Sequence, residues 1–397
     1  MHIPFCKHRC AYCDFNTYAG LEHMVPDYIA ALCQEIELLD LVAESRIPVH
    51  TIFFGGGTPS LLSAAQIEQV LATIARHYHL LPGIEISLEA NPGALSLDYL
   101  RDLHHLGVNR LSLGVQSADP GELHLLERQH DYTDVIHAIV WARNAGFDNI
   151  NLDMIYGLPY KAIESWEHNL SLVLGLEADH LSLYALSLEH GTPMQQWVSR
   201  GLMAEPEPDL AADMYELAAE MLENAGYYQY EISNWARRAQ DGNLKSCYHN
   251  IQYWRLHPYL GFGAGAHGFV SSTHTMNVLS PGDYIQRMQA AGVQGSEFNK
   301  ARPQSTGSFP RTPATAFVKT VNRTEEMGEV MMMGLRLIQE GISDKSFKQR
   351  FGLRLMEVYG PQVETLRKKG LLEWQGERLR LTPAGRLLGN QVFIEFI

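Results

Sequence analysis

The chain has 397 residues, 46% hydrophobic and 19% charged, which is enough for a sizeable buried core and rules out a largely disordered polymer. With 45 acidic residues against 31 basic ones its formal charge is −14, so the molecule as a whole repels nucleic acid and anionic membrane. No run reaches the roughly 18 consecutive apolar residues of a membrane span, and the start MHIPFCKHRC lacks the marks of a secretory signal, so a cytoplasmic protein is expected.

Short β-rich runs alternate with helical patterns, the signature of parallel strands joined by crossover helices. Strands are predicted at 2–5, 51–56, 85–91, 110–117, 149–157 and 180–187, with helices near 25–44, 63–78, 96–106, 119–128, 133–145 and 164–175. Ser63 before AAQIEQVLATI and Thr133 before DVIHAIVWA read as N-caps. Six β/α units are fewer than a closed eight-stranded barrel needs, so residues 1–190 are read as an open, partial barrel or a doubly wound sheet. Gly55 to Thr58, Glu89, Gln116 and Asp153 then fall at or near the carboxyl ends of their strands, where active sites of such folds gather.

Residues 191–298 read as an accessory α/β region, with an amphipathic helix near 209–225, the segment YEISNWA and a glycine-rich strand, YLGFGAGAHG, at 259–268. The stretch 299–323 carries five positive charges and no acid, is rich in Pro, Ser and Thr, and reads as a linker or flexible loop. From 324 to 397, three helices and the alternating EWQGERLRLTPAG outline a mainly helical, winged-helix-like domain. Its mixed charge favours a packing or lid role over DNA binding. MMMGLRL at 331–337 reads as a core stripe.

The sharpest chemical signal is C-x3-C-x2-C at Cys6, Cys10 and Cys13; five cysteines in all are too few for a disulfide framework. Three thiolates this close can hold three irons of a 4Fe-4S cube and leave the fourth open to another ligand. Zinc is the alternative, but it usually takes four protein ligands, and only His2 and His8 stand near enough to supply the fourth. GGGTPS at 55–60 brings backbone N–H and C=O groups close to a ligand, which suits an amino acid; a plain tight turn explains it equally well.

The cysteine spacing resembles that of the radical S-adenosylmethionine (SAM) superfamily, in which it binds a 4Fe-4S cluster whose unique iron takes the amino and carboxylate groups of SAM. The resemblance implies a partial (β/α)6 TIM-like barrel and makes GGGTPS similar to the SAM amino-group motif, with Gly56, Gly57 and Thr58 binding the cofactor. EANPG (89–93), GVNRLSLGVQS (107–117), ERQH (127–130) and NLDMIYGLP (151–159) resemble, in order and spacing, the oxygen-independent coproporphyrinogen III oxidase family over nearly the whole chain. It implies that Glu89 and Asp153 lie at the SAM ribose or its neighbourhood, Gln116 and Arg128 at its polar groups and Ala185 at its adenine. Without it, Glu89 and Arg128 read as an ion pair and Asp153 as a turn cap.

Two features choose a branch. The decarboxylating oxidases carry a further cysteine two residues beyond the third, where this chain has Phe15, and YHNIQYW at 248–254 contains HNxxYW, which resembles the hallmark of the haem-chaperone branch. The chain also lacks the longer N-terminal extension of the oxidases, and begins at Met1, one position after the Tyr that family members usually place before HIPFC. The resemblance implies a haem carrier that forms a homodimer and delivers haem to haem-requiring client proteins, membrane-bound ones among them. His249 is the first candidate haem ligand and Cys247 the second. The rival is a radical enzyme that decarboxylates coproporphyrinogen III; a zinc-stabilised DNA-binding regulator is a third reading, opposed by the charge of −14.

Overall fold

The computed structural model describes residues 1–40, 46–293 and 311–397. Two compact units form, one from Met1–Tyr215 with Tyr259–Lys319 and the other from Glu216–Pro258 with Thr320–Ile397. The region 191–298 therefore contributes to both units.

The first unit is built on β1 (His2–Ile3), β2 (Phe5–Cys6), β3 (Tyr18–Ala19), β4 (Pro48–Gly56), β5 (His79–Ala90), β6 (Arg110–Gln116), β7 (Ile150–Tyr156) and β8 (His180–Ala185). Strands β1, β4, β5, β6, β7 and β8 pair in that order, each neighbouring pair parallel, as in a partial (β/α)6 barrel. The expected single strand at 2–5 divides at Pro4, which has no N–H for a ladder. β1 pairs with β4, and β2 pairs with β3 across the cysteine loop.

Between the strands run α1 (Val25–Asp40), α2 (Ala64–His77), α3 (Leu97–His105), α4 (Pro120–Leu125), α5 (Tyr132–Ala145) and α6 (Ile163–Leu174). Ser63 caps α2 in a capping box with Gln66. The cap of α5 is Asp131 rather than Thr133: its carboxylate accepts from Asp134 N at 3.0 Å, so the helix begins before Thr133. Leu111, Leu113, Val115, Leu152 and Met154 are fully buried, as expected of strands covered on both faces.

The glycine-rich segment predicted as a strand at 259–268 is mostly a loop; the strand that follows is His267–Val270, antiparallel to Thr273–Asn277. Thr315–Thr320 completes that three-stranded sheet. Residues 299–310 of the expected linker lie outside the described residues, and much of the remainder is this strand, because TAFVKT carries the β-branched and aromatic residues that suit a pleated ladder. The loop lies along β1: His2 N donates to Phe262 O at 2.9 Å. At Gly263, with φ +103°, a Cβ would stand 2.5 Å from both His2 O and Tyr28 Oη, so only glycine fits.

One buried carboxylate holds this arrangement. Glu35, on α1 and 1% exposed, accepts from Gly263 N (2.8 Å), Asn277 Nδ2 (2.7 Å), Tyr284 Oη (2.7 Å) and Thr312 Oγ1 (2.9 Å). Burial pushes its carboxyl up from the ordinary range, and the four donors oppose that push.

In the second unit, the helices Arg323–Gly334, Asp344–Phe351 and Leu355–Lys368 surround a three-stranded sheet that ends in the hairpin Leu372–Gln375 and Arg378–Leu381, a winged-helix outline. Its core includes Met327, Met331, Leu335, Phe347, Leu355, Val363 and Phe393, so the methionine stripe is interior packing. No helix among the described residues is long and apolar enough to cross a membrane. Glu35→Ala leaves four buried donors without their acceptor and lowers unfolding stability by about 3 kcal/mol or more, measured by chemical denaturation at neutral pH.

Candidate functional site

The cysteine loop is placed by backbone pairing. Gly57 N donates to Ile3 O at 2.8 Å and Thr58 N to Phe5 O at 2.9 Å, while a Cβ at Gly57 would stand 2.6 Å from Phe5 O. The remaining N–H groups of this turn are also engaged, Gly55 N with Met1 O at 3.0 Å and Gly56 N with Glu89 Oε2 at 3.0 Å. The N–H groups of Gly55 to Thr58 are therefore all engaged within the protein, which leaves the carbonyl side of the glycine turn for a ligand. A ligand's ammonium, which needs acceptors, matches it better.

Cys6, Cys10 and Cys13 line one pocket of about 730 Å³, together with Gly56, Gly57, Thr58, Glu89, Gln116, Arg128, Asp153 and Ala185. Its volume lies within the roughly 300–1,000 Å³ of small-molecule and cofactor sites. Among the described residues, no group of three or more His, Cys, Asp and Glu side chains is placed to hold a single metal ion. Three thiols lining one pocket are the donor set of a multi-iron cluster that leaves one iron open, each sulfur taking a different iron. Phe15 and Tyr184, 64% and 43% exposed, add aromatic surface to the lining.

Two buried acids dominate the electrostatics. Burial, with the charge of Asp153 beside it, pushes the Glu89 carboxyl up to about 7, and the Gly56 N–H works the other way. Asp153 is also pushed up by burial, offset by hydrogen bonds from Asn151 Nδ2 (2.9 Å) and Ser112 Oγ (3.1 Å). Arg128 reaches in from the loop after α4, with Nη2 donating to Gly114 O at 2.7 Å and Nη1 to Cys10 Sγ at 3.5 Å. Glu89 and Arg128 thus have other partners, and the simple ion pair read from the sequence is not among the salt bridges formed by the described residues. Gln116 sits at φ +66° beside a bulge between Gly114 and Gln116, a departure from regular strand that redirects its side chain.

The lining also holds unmet polar atoms: Asn91 Oδ1 and Arg128 Nε are buried without a hydrogen-bond partner. An acceptor near the acids and a donor on the guanidinium are what a zwitterionic ligand with ammonium and carboxylate groups would satisfy. The residues present therefore fit an iron–sulfur cluster with an amino-acid-bearing cofactor beside it.

Sequence reading missed the supports of Asp153. Asn151 donates to Ser112 Oγ at 2.7 Å and to Asp153, and accepts from Ser182 Oγ at 3.0 Å. The signal was present: Arg110, Ser112, Asn151, Asp153, His180 and Ser182 are polar at alternate positions of otherwise apolar strands.

Cys247 and His249 lie in the second unit, at the start of the helix Tyr248–Trp254. Cys247 has no exposed surface, and its N–H donates to Tyr230 Oη at 3.2 Å. His249 Nε2 lies 2.9 Å from Tyr253 Oη, and the two rings meet edge to face. Trp254 stacks under Arg336, whose guanidinium carbon is 4.3 Å from the ring centre.

Residues 1–173 match the Radical SAM superfamily and 321–388 the HemN C-terminal domain. The chain is 36% identical to "Heme chaperone HemW" of Bacillus subtilis (strain 168), over 100% of this chain and 98% of that protein. It is 34% identical to "Heme chaperone HemW" of Mycobacterium tuberculosis (strain CDC 1551 / Oshkosh), over 99% and 92%. Among solved structures, the coproporphyrinogen III oxidase HemN of Escherichia coli, described as a radical SAM enzyme, superposes with a TM-score of 0.81 at 24% identity, over 100% of this chain and 88% of that one. That likeness establishes the fold.

Because the Glu89 pKa is about 7 in the folded protein against 4.5 for an ordinary glutamate, the native state binds more protons than the unfolded chain between those values. Stability of the ligand-free protein therefore falls as pH rises through this window. Glu89→Gln flattens the fall, read as melting temperature against pH from 4 to 8.

Proposed function

We propose, from the premise that this chain belongs to the HemW-like haem-chaperone family of the radical SAM superfamily, that it takes up haem and passes it to haem-requiring proteins. A 4Fe-4S cluster and SAM complete the barrel site in this reading. The observation that carries it is the pocket shared by Cys6, Cys10, Cys13, Glu89, Gln116, Arg128 and Asp153, in a chain related to the chaperones over its full length.

Cys6, Cys10 and Cys13 would hold three irons of the cluster, which supplies an open iron for the amino and carboxylate groups of SAM. Glu89, with the acceptors around it, binds and orients the ammonium, and Arg128 takes the carboxylate. Asp153, fixed by Ser112 and Asn151, accepts from a ribose hydroxyl, and Gln116 donates to a polar group of the cofactor. Ala185, at the end of β8, leaves room for the adenine. Phe15 stands where the oxidases have their additional cysteine, and this supports carriage over decarboxylation. His249, with Tyr253 and Trp254 beside it, is the haem candidate of the second unit. Cys247 would reach haem only if the start of its helix opened. Membrane-bound haem proteins are among the clients in this reading, and haem-dependent formation of a homodimer belongs to it.

The test is anaerobic reconstitution followed by three assays on one preparation. Iron and acid-labile sulfide are counted; coproporphyrinogen III is offered with SAM and reductant while protoporphyrinogen IX is sought by mass spectrometry; haem uptake and its transfer to an apo-haem protein are followed by absorbance. The expected outcome is an intact cluster, haem uptake and transfer, and no sustained porphyrinogen turnover. Sustained product would instead establish the oxidase. Cys10→Ser loses the cluster absorbance and most of the bound iron, and His249→Ala lowers haem affinity about tenfold, the loss of one ligand-strength contact of about 1.4 kcal/mol.

A further inference from the structure

Arg128 is held at three points that do not depend on any ligand. Its N–H donates to Leu123 O at 2.9 Å, its Nη2 to Gly114 O at 2.7 Å and its Nη1 to Cys10 Sγ at 3.5 Å. The loop that carries it is fixed in turn by a buried network. Glu122 accepts from Ser117 Oγ (2.6 Å) and Asn169 Nδ2 (2.9 Å), Ala118 N donates to Asn169 Oδ1 (2.7 Å), and Lys161 Nζ approaches Glu122 at 3.6 Å. A charged donor is thus presented on a rigid support to Cys10, one of the three pocket cysteines. The hydrogen-bond neighbours of the other two sulfurs are hydroxyls, Thr58 Oγ1 at 3.6 Å from Cys6 and Thr17 Oγ1 at 3.9 Å from Cys13.

We infer that Arg128, besides facing the pocket, is a positioning residue that sets the reduction potential of a cluster held by Cys10 through its N–H donation to that sulfur. The inference rests on the cluster assignment made above. One-electron reduction brings an electron from an external reductant onto the iron–sulfur centre and adds one negative charge, which delocalises onto the thiolate sulfurs. A guanidinium fixed against one of them stabilises the reduced state more than the oxidised state, since attraction grows with the charge it meets. Hydrogen bonds to the sulfurs and local charge are among the levers that set such potentials. Arg128 therefore raises the potential, and its effect exists before SAM arrives.

The experiment is a dithionite-poised titration of the reconstituted, SAM-free protein, with the reduced cluster read by electron paramagnetic resonance. Iron and sulfide are counted first in the wild type, Arg128→Gln and Arg128→Lys. Arg128→Gln is expected to shift the one-electron equilibrium about tenfold toward the oxidised form, which is about 59 mV more negative. Arg128→Lys, which keeps the charge but not the fork, shifts it less in the same direction. Where Arg128→Gln fails to hold a full cluster, Arg128→Lys carries the test. Loaded variants that titrate at the wild-type potential overturn the inference and leave the proposed function intact. A wild-type protein that takes up no iron and sulfide overturns both.

Discussion

The position of the cysteine loop depends first on backbone hydrogen bonds at its base, with Ala11 at its middle buried among Leu126, Ile155, Leu158 and Met194. Ile3 O and Phe5 O receive the N–H groups of Gly57 and Thr58, and Gly57 is tolerated there because no side chain fits against those carbonyls. Since β1 has two residues and pairs with β4 alone among the strands of the barrel, the turn after β4 fastens the base of the loop at the mouth, and the β2–β3 pairing and the Ala11 contacts fasten the rest. The acids and Arg128 then need only ordinary strand and loop geometry to face it.

The mouth is also a place of uneven charge. Burial raises the proton affinity of both Glu89 and Asp153, and the charge of Asp153 raises that of Glu89 further, an arrangement that costs stability. The polar rows on β6, β7 and β8 limit that cost by supplying donors to Asp153, so the carboxylate has a fixed orientation. A site organised this way favours a ligand that brings positive charge and hydrogen-bond donors with it.

The six strands, the helices between them and the cysteine cluster were legible in the sequence because each is a local pattern: apolar runs, caps and close spacing. What was not legible depends on distant partners. YLGFGAGAHG has the composition of a strand, yet most of it is a loop because Glu35, Tyr28 and His2 bind its backbone. The glycines of GGGTPS signalled close approach correctly, but not that their N–H groups would be taken by β1 and Glu89. At α5 the cap stands two residues before the Thr133 read from the sequence, because the carboxylate of Asp131 forms a reciprocal box with Asp134. TAFVKT was hidden by the proline- and serine-rich run in front of it.

The Glu35 clasp also orders events in time. Synthesis delivers the chain from its N-terminus, so the three cysteines emerge first, Glu35 soon after, and the partners of Glu35 follow it by 228 residues at Gly263 and by 277 at Thr312. Until residues 262–284 have been made, the segment that lies along β1 cannot be fastened, and the cysteine loop has an unfinished flank; Thr312 adds the last donor later still. The oldest part of the nascent chain is consequently among the last to be closed, leaving the thiols an interval in which to be reached from outside.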